Sequence, residues 1–422
     1  MKLGSPIILI LQLITADVFA EDIFDPIFPA THYQGTLIGL EPTKSDKALS
    51  KMFPDFSEKG INIYGWANPT YNQSSASQSN LPIQFSMIPN HFLFNEGVLA
   101  FEKQVNTAQH EYMDFGFNLT NLYGTDYRFT SMKGVFSQQY YQENLLYGYD
   151  PVIANVQAYF PGIGQGTLVT VGRYLALGDI EWPLSNINYM VTRSLTFSNS
   201  AFTQMGFNAA TKLNDNWSTI LGMHAGSDIA VWSNSAIPTF MGFVQWTADD
   251  KNDSVFAGAN ALNNGQFRNE HDNLQQLNMI WTHRFNEGSF ITSEFYYQYQ
   301  FNGLADGDCT FGPYAPYGGG RGCGALIPGY SSSIATVTYF EKKLNETTFS
   351  SFRFDYFNDF QGQRTGFQTD YVSFSVGLTN IFQKVLKIRP ELRYDLGLSG
   401  TPYDNGTRSS VLIGLIDLIL LV

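Results

Sequence analysis

From Leu386 to Asp395 the chain reads Leu, Lys, Ile, Arg, Pro, Glu, Leu, Arg, Tyr, Asp, so every second residue is charged and those between are apolar or Pro390. Successive side chains of a strand point to opposite faces, which gives this segment one wholly polar face and one suited to lipid. The pattern recurs. Val372, Phe374, Val376 and Leu378 alternate with Ser373, Ser375, Gly377 and Thr379, and Phe352, Phe354 and Tyr356 alternate with Ser351, Arg353 and Asp355. Ile291, Phe295, Tyr297 and Tyr299 oppose Thr292, Glu294, Tyr296 and Gln298, and weaker copies run over 114–120, 218–225 and 276–284. A soluble β-sandwich also alternates on its wet strands. Aromatic and aliphatic side chains returning to one face in strand after strand are the mark of a membrane barrel.

The start of the chain agrees. Lys2 precedes an apolar core, Pro6 to Ile14, and Val18-Phe19-Ala20 places small residues three and one before Glu21, the layout of a cleavable secretory signal over residues 1–20. The apolar run is too short to span a bilayer, which takes about 20 residues. Past the signal the longest apolar candidate, Val411 to Val422, has 12 residues and contains Asp417. Only helices and closed barrels satisfy their own backbone in lipid, so a membrane protein with this sequence must be a barrel. Composition supports that: 15% of the residues are aromatic and only 14% charged, against about 25% charged in ordinary soluble domains. Such a chain has too little charge for a water-soluble surface.

The first convincing strand starts near Gly60. At about 22 residues per strand and connection, the 363 residues from there to Val422 predict roughly 16 strands, with 14 to 18 as bounds. The expected fold is an all-β, transmembrane, antiparallel β-barrel over residues 60–422. Its closing strand, Ser409 to Val422, turns Leu412, Ile416, Leu418, Leu420 and Val422 outward and Asp417 inward. Residues 21–59, with Pro26, Pro29, Pro42 and Pro54, read as a periplasmic or lumenal arm or a disordered tail, with a short helix over Ser45 to Phe53.

Chemistry-bearing motifs are sparse. Cys309 and Cys323 bracket a glycine-rich loop, and in an oxidising compartment the natural reading is a disulfide. Nucleophile elbow, phosphate loop, HExxH and CxxC are all missing, so no enzyme, cofactor or metal site is expected. The six histidines are scattered, with His224 on a polar strand face, best read as hydrogen-bonded structure. The alternation places Glu294, Arg353, Asp355, Lys387, Arg389, Glu391, Arg393 and Asp395 on the lumenal face. They are the candidate pore-lining residues, expected to pair across neighbouring strands. A net charge of −13 argues against a nucleic-acid partner. Tyr123–Asp126, Tyr147–Asp150 and Tyr403–Gly406 each set Asp near Gly and Tyr, a turn composition.

Several blocks carry a resemblance: LYGTDYRFT (122–130), LLYGYDPV (145–152), VGRY (171–174), NYM (188–190), KLNDNW (212–217), NLQQLN (273–278), CTFGPYAPYGGGRGCG, YFNDFQGQRTGF (356–367), IRPELRYD and PYDNGT. In these the chain resembles the family described as “putative β-barrel porin, OmpL-like”, over nearly all of its length after the signal. The resemblance implies an outer-membrane β-barrel porin with no settled substrate. The chain departs from the family in ending on Val422 rather than an aromatic residue.

The expected function is therefore a passive, water-filled channel for small hydrophilic solutes or ions, set in outer-membrane lipid and open to homo-oligomerisation. The alternative is a non-conducting barrel acting as adhesin or scaffold.

Overall fold

The computed structural model describes residues 49, 52–269, 271–286, 288–305, 324–383 and 385–422. The signal, most of the arm and its Ser45–Phe53 helix, and both cysteines lie outside the described residues. A one-turn helix, α1 (Pro54–Ser57), leads into the first strand.

Sixteen strands follow: β1 (Ile61–Ser74), β2 (Phe92–Lys103), β3 (Asp114–Gly124), β4 (Gly148–Phe160), β5 (Thr167–Leu175), β6 (Thr203–Lys212), β7 (Trp217–Ser227) and β8 (Thr239–Thr247). Then come β9 (Asp253–Leu262), β10 (Gln275–Asn286), β11 (Ser289–Phe301), β12 (Tyr330–Asn345), β13 (Thr348–Asp359), β14 (Thr369–Phe382), β15 (Leu386–Gly397) and β16 (Ser410–Leu421). Each pairs antiparallel with its sequence neighbours, and β1 pairs with β16, so the sheet closes into a barrel. Closure leaves no unpaired edge, the condition for crossing lipid with strands. The seam runs from Trp66↔Leu421 to Ser74↔Ile413. Val422 extends it: its N–H donates to Gly65 O at 2.9 Å, and Gly65 N–H donates back at 3.0 Å. This clasp is made by backbone alone.

The prolines within strands fall where the ladder is broken. The β1–β2 register shifts between Asn68 and Pro69. The β14–β15 pairing stops at Gly377↔Glu391 and resumes at Asn380↔Ile388, leaving out Pro390. Proline has no N–H to give a ladder, so bulges and gaps are its permitted places.

Outward and inward faces separate as the alternation requires. Phe374 and Val376 are 45% and 52% exposed, whereas Ser373 and Ser375 are 0% and 2%. On the closing strand Leu412, Ile416, Leu418 and Leu420 are exposed and Asp417 is buried. Long connections such as 125–147, 176–202 and 302–329 alternate with tight ones such as 213–216, 346–347 and 383–385, so the long loops share one end of the barrel. In barrels of this kind that end is extracellular. Outward aromatics gather near both ends. Tyr299 lies 5.7 Å from Tyr330 and 5.9 Å from Tyr297 at the long-loop end, and Phe285 lies 6.2 Å from Phe340 at the other.

Of the three Tyr-Gly-Asp segments, the last is a turn built on three consecutive positive φ values, with Asp404, Asn405 and Gly406 at 51°, 57° and 83°, while the first has one, at Gly124 (154°). Asp404 also accepts backbone N–H bonds from Ser77, Gln78 and Ser79, which ties the β15–β16 loop to the β1–β2 loop across the seam. Asp150 departs from the turn reading. It lies at the start of β4 in a two-pronged, buried pair with Arg173, at 2.5 and 2.8 Å.

Candidate functional site

The connection between β5 and β6, residues 176–202, turns into the barrel instead of rising from its mouth. It carries a 3-10 turn (Ser185–Ile187) and a one-turn helix, α2 (Leu195–Ser198). A loop of this length with so little regular structure is uncommon and needs an external reason to be ordered. That reason is the polar wall of β10 to β16.

All eight residues singled out by alternation lie on the interior face, buried beneath this loop. Strand register arranges them in rows: Glu294, Val337, Asp355, Ser373 and Asp395 are consecutive cross-strand partners, as are Tyr339, Arg353, Ser375 and Arg393. An acidic row thus lies next to a basic one. Cross-strand pairing as the sequence suggested accounts for only part of their bonding. Arg353 meets Glu391 at 3.3 Å and Arg389 meets Asp417 of β16, but Arg393 pairs with Asp395 of its own strand at 2.7 Å. The remaining capacity goes to the loop.

Arg353 is the centre of this attachment. One guanidinium nitrogen donates to Glu181 Oε1 (3.2 Å), Thr192 O (2.7 Å) and Tyr339 Oη (3.1 Å). The other donates to Thr192 Oγ1 (2.8 Å), Ser375 Oγ (2.9 Å) and Glu391 Oε1 (3.3 Å). Five donors in a rigid planar fork suit Arg to such a junction. Glu391 accepts the Thr192 N–H at 2.7 Å, and Asp355 accepts from Leu195 N and from Thr196 Oγ1. These N–H groups belong to the first turn of α2 and its approach, where helix donors lack internal partners. Glu294 accepts the Ile180 N–H at 2.9 Å. Lys387 donates to Asn186 Oδ1 at 2.8 Å, and Arg389 and Arg393 donate to the loop carbonyls of Ser185 and Arg193.

Several participants were not foreseen from sequence. Glu181 accepts two bonds from the Ser194 N–H and one from Tyr339 Oη at 2.5 Å, closing the loop on itself and on β12. Arg193 donates to the carbonyls of Trp182, Pro183 and Val191, and its guanidinium stacks over Phe85 at 4.6 Å. Glu96 of β2 accepts the Ser185 N–H.

The opposite wall is different. Interior side chains of β4 to β10, among them Leu168, Ile220, Met241, Phe243, Phe256 and Ile280, form a dry apolar cluster joined by Leu177 and faced by Ile180 of the loop. The interior is therefore polar on one side of the loop and apolar on the other. His224, inward on β7, makes Nε2 contact with Asn260 O (3.0 Å) and accepts the Gly226 N–H on Nδ1, a neutral hydrogen-bonded histidine. Among the described residues no group of three or more His, Cys, Asp or Glu could hold a metal ion.

Residues 60–421 match the family model described as “Putative beta-barrel porin-2, OmpL-like”. The chain belongs to this family. It is an outer-membrane porin, and its relatives by family and fold are channels. Among solved structures this porin is similar to an anion-selective porin from Comamonas acidovorans, at 8% identity, TM-score 0.53, covering 86% of this chain and 99% of that one. It is equally similar to OmpF of Salmonella typhi in complex with daunomycin, at 10% identity, TM-score 0.53 and the same coverages. The OmpT loop L8 deletion mutant of Vibrio cholerae follows at 10% identity and TM-score 0.50, again with 86% and 99% covered. Likeness at these identities concerns the barrel, not the residues inside it. No curated protein matches the chain.

Proposed function

We propose that this porin passes small hydrophilic solutes and ions passively, and that the inward loop together with Glu294, Arg353, Asp355, Lys387, Arg389, Glu391, Arg393 and Asp395 sets the size and charge preference of the path. The observation that carries this is the attachment of residues 176–202 at mid-barrel to a wall of alternating charge. Fixed charges beside low-dielectric walls focus the field that a passing ion meets. The apolar outward band, by its composition, sits in outer-membrane lipid.

The test is a planar-bilayer recording of the refolded protein in a salt gradient. Wild-type protein should form channels. Replacing Arg389 and Arg393 with Gln leaves the Asp417 and Asp395 carboxylates without their cations, so the reversal potential should move toward cations, more strongly at low salt, where screening is weaker. A wild-type barrel that never conducts would favour the adhesin or scaffold reading, to which the tightly packed interior lends some support.

A second part of the proposal is that Cys309 and Cys323 are bonded to each other. Both belong to the 302–329 connection at the extracellular end, in an oxidising compartment. A bond closing a ring of about 15 residues would stabilise by about 3 kcal/mol. Mass spectrometry of a non-reduced digest should find the linked peptides, and two free thiols in protein taken from outer membranes would refute it.

A further inference from the structure

The connections at the long-loop end meet around a cleft with about 660 Å³ of empty space, part of it open solvent. Small-molecule sites occupy clefts of about 300–1,000 Å³. Six connections contribute to its wall: Gln84 comes from β1–β2, Arg128 from β3–β4, Phe202 from the end of the inward loop, Asp228 from β7–β8, Asp272 from β9–β10 and Arg364 from β13–β14. The cleft thus borders the segment that narrows the barrel.

Second partners hold the polar side chains of this wall in place. Arg364 pairs with Asp272 at 2.8 Å, and Gln300 Nε2 donates to the other Asp272 oxygen, also at 2.8 Å. Arg128 donates to Leu145 O and Asn144 Oδ1, both at 2.7 Å, and its guanidinium lies 4.2 Å from the centre of the Tyr140 ring. Asp228 Oδ1 accepts the Thr203 N–H and the Thr203 hydroxyl, both at 2.8 Å. Bonding capacity remains. Among the described residues Asp228 Oδ2 accepts only the Phe202 N–H, at 3.4 Å, and Asp228 is half-buried. Gln84 Oε1, Arg128 Nε and Arg364 Nε, on residues of the same wall, have no partner within the protein.

The chemistry of the wall selects a ligand class. Two arginines, Arg128 and Arg364, stand against two carboxylates, Asp228 and Asp272, with His271 beside them, its Nδ1 2.8 Å from Asp272 O. Neither sign of charge is in excess among these four, which suits an uncharged ligand better than an ion. Donors and acceptors are both at hand, as hydroxyl groups require, since each hydroxyl gives one hydrogen bond and accepts others. Phe129, Phe202, Tyr140 and Tyr141 add aromatic surface, a match for the apolar C–H faces of a sugar ring. We propose that this cleft is a recognition site for neutral mono- and disaccharides, where a sugar is held before it enters the constriction. Entry into the constriction rests on the barrel being a channel; the binding site does not.

Saturation-transfer NMR on the refolded protein in a sugar-free detergent, with glucose, galactose, sucrose and maltose as probes and citrate as the anionic control, tests the site. The wild type should transfer saturation to the sugars and not to citrate. Asp228→Asn keeps an acceptor for Thr203 and loses the charge, so it should weaken sugar binding by about three- to tenfold. Ser227→Phe fills the cleft from its wall and should abolish binding. Heat-modifiable migration identifies folded variants, and if one fails to refold the other decides. No transfer to any of the four sugars, transfer unchanged in the folded variants, or citrate binding that tightens in Asp228→Asn overturns the proposal. Uptake of the same sugars into liposomes should saturate with concentration in the wild type. Sugar binding that the variants weaken, with no uptake at any concentration, supports the site and counts against the channel.

Discussion

Replacing Arg353 with alanine is expected to destabilise the barrel by about 3–5 kcal/mol and to free the inward loop, because removing one partner of a buried ionic cluster strands the others. Arg353 is 0% exposed and donates to groups on three wall strands, Tyr339, Ser375 and Glu391, and to two separated points of the loop, Glu181 and Thr192. Its loss removes the guanidinium that the Glu181 and Glu391 carboxylates share. Equilibrium unfolding in denaturant, followed by tryptophan emission, should show the lower midpoint. Trp182 lies in the loop itself, hydrogen-bonded through its backbone to Asn188, so its emission should also red-shift before the barrel unfolds. Arg353→Lys should recover only part of the loss, since a point charge on a flexible stem cannot reach the same six acceptors. An alanine variant with wild-type midpoint and an unmoved loop would mean that other bonds hold residues 176–202 unaided.

Much of the fold was legible because a membrane barrel imposes one rule on every strand. In β13 to β16 one face meets lipid and the other the lumen, so a single charged residue such as Arg389 sets the facing of its whole strand. That is why Glu294, Arg353, Asp355 and the β15 ladder could be placed on the interior face by spacing alone. Strand number followed from length for the same reason: closed antiparallel neighbours leave little freedom in spacing. The rule fails for β7 to β10. Ile220 points inward beside outward Leu221, and Phe243 inward beside Val244, so those strands are apolar on both faces and their alternation fades.

The inward loop was not legible. Its contacts join residues far apart in sequence, Thr192 with Glu391 or Ser185 with Arg389, and such pairings leave no local periodicity. The available signal was indirect. A charged ladder aimed at a lumen needs counter-groups, and GDIEWPLSNINYMVTRSL, with its buried Glu181 and Arg193, is too long and too mixed for an ordinary surface connection. The loop satisfies the wall, and the wall fixes the loop, which makes the constriction a joint property of two segments that neither sequence displays alone.

Asp417 puts the same logic to work at the seam. It is a buried carboxylate on β16 that accepts from Arg389 Nε of β15 at 3.0 Å and from Asn68 Nδ2 of β1 at 2.9 Å, so one side chain joins three strands where the first and last strands of the barrel meet. Asp417→Ala should leave Arg389 buried with only backbone carbonyls, at a cost again of about 3–5 kcal/mol, and should slow closure of β1 on β16. Asp417→Asn keeps an acceptor for Asn68 and should lose less. The decisive variant is the double replacement Arg389→Met, Asp417→Leu, which removes both charges together. If the single loss reflects a stranded charge, the double variant should recover most of the stability, leaving a coupling energy within the range of about 0.5–3 kcal/mol or somewhat above it. Heat-modifiable migration after refolding reports closure, and denaturant midpoints report stability. Should the double variant be as unstable as Asp417→Ala, the pair contributes through geometry at the seam rather than through charge balance, and the Asn68 bond becomes the element that positions β1.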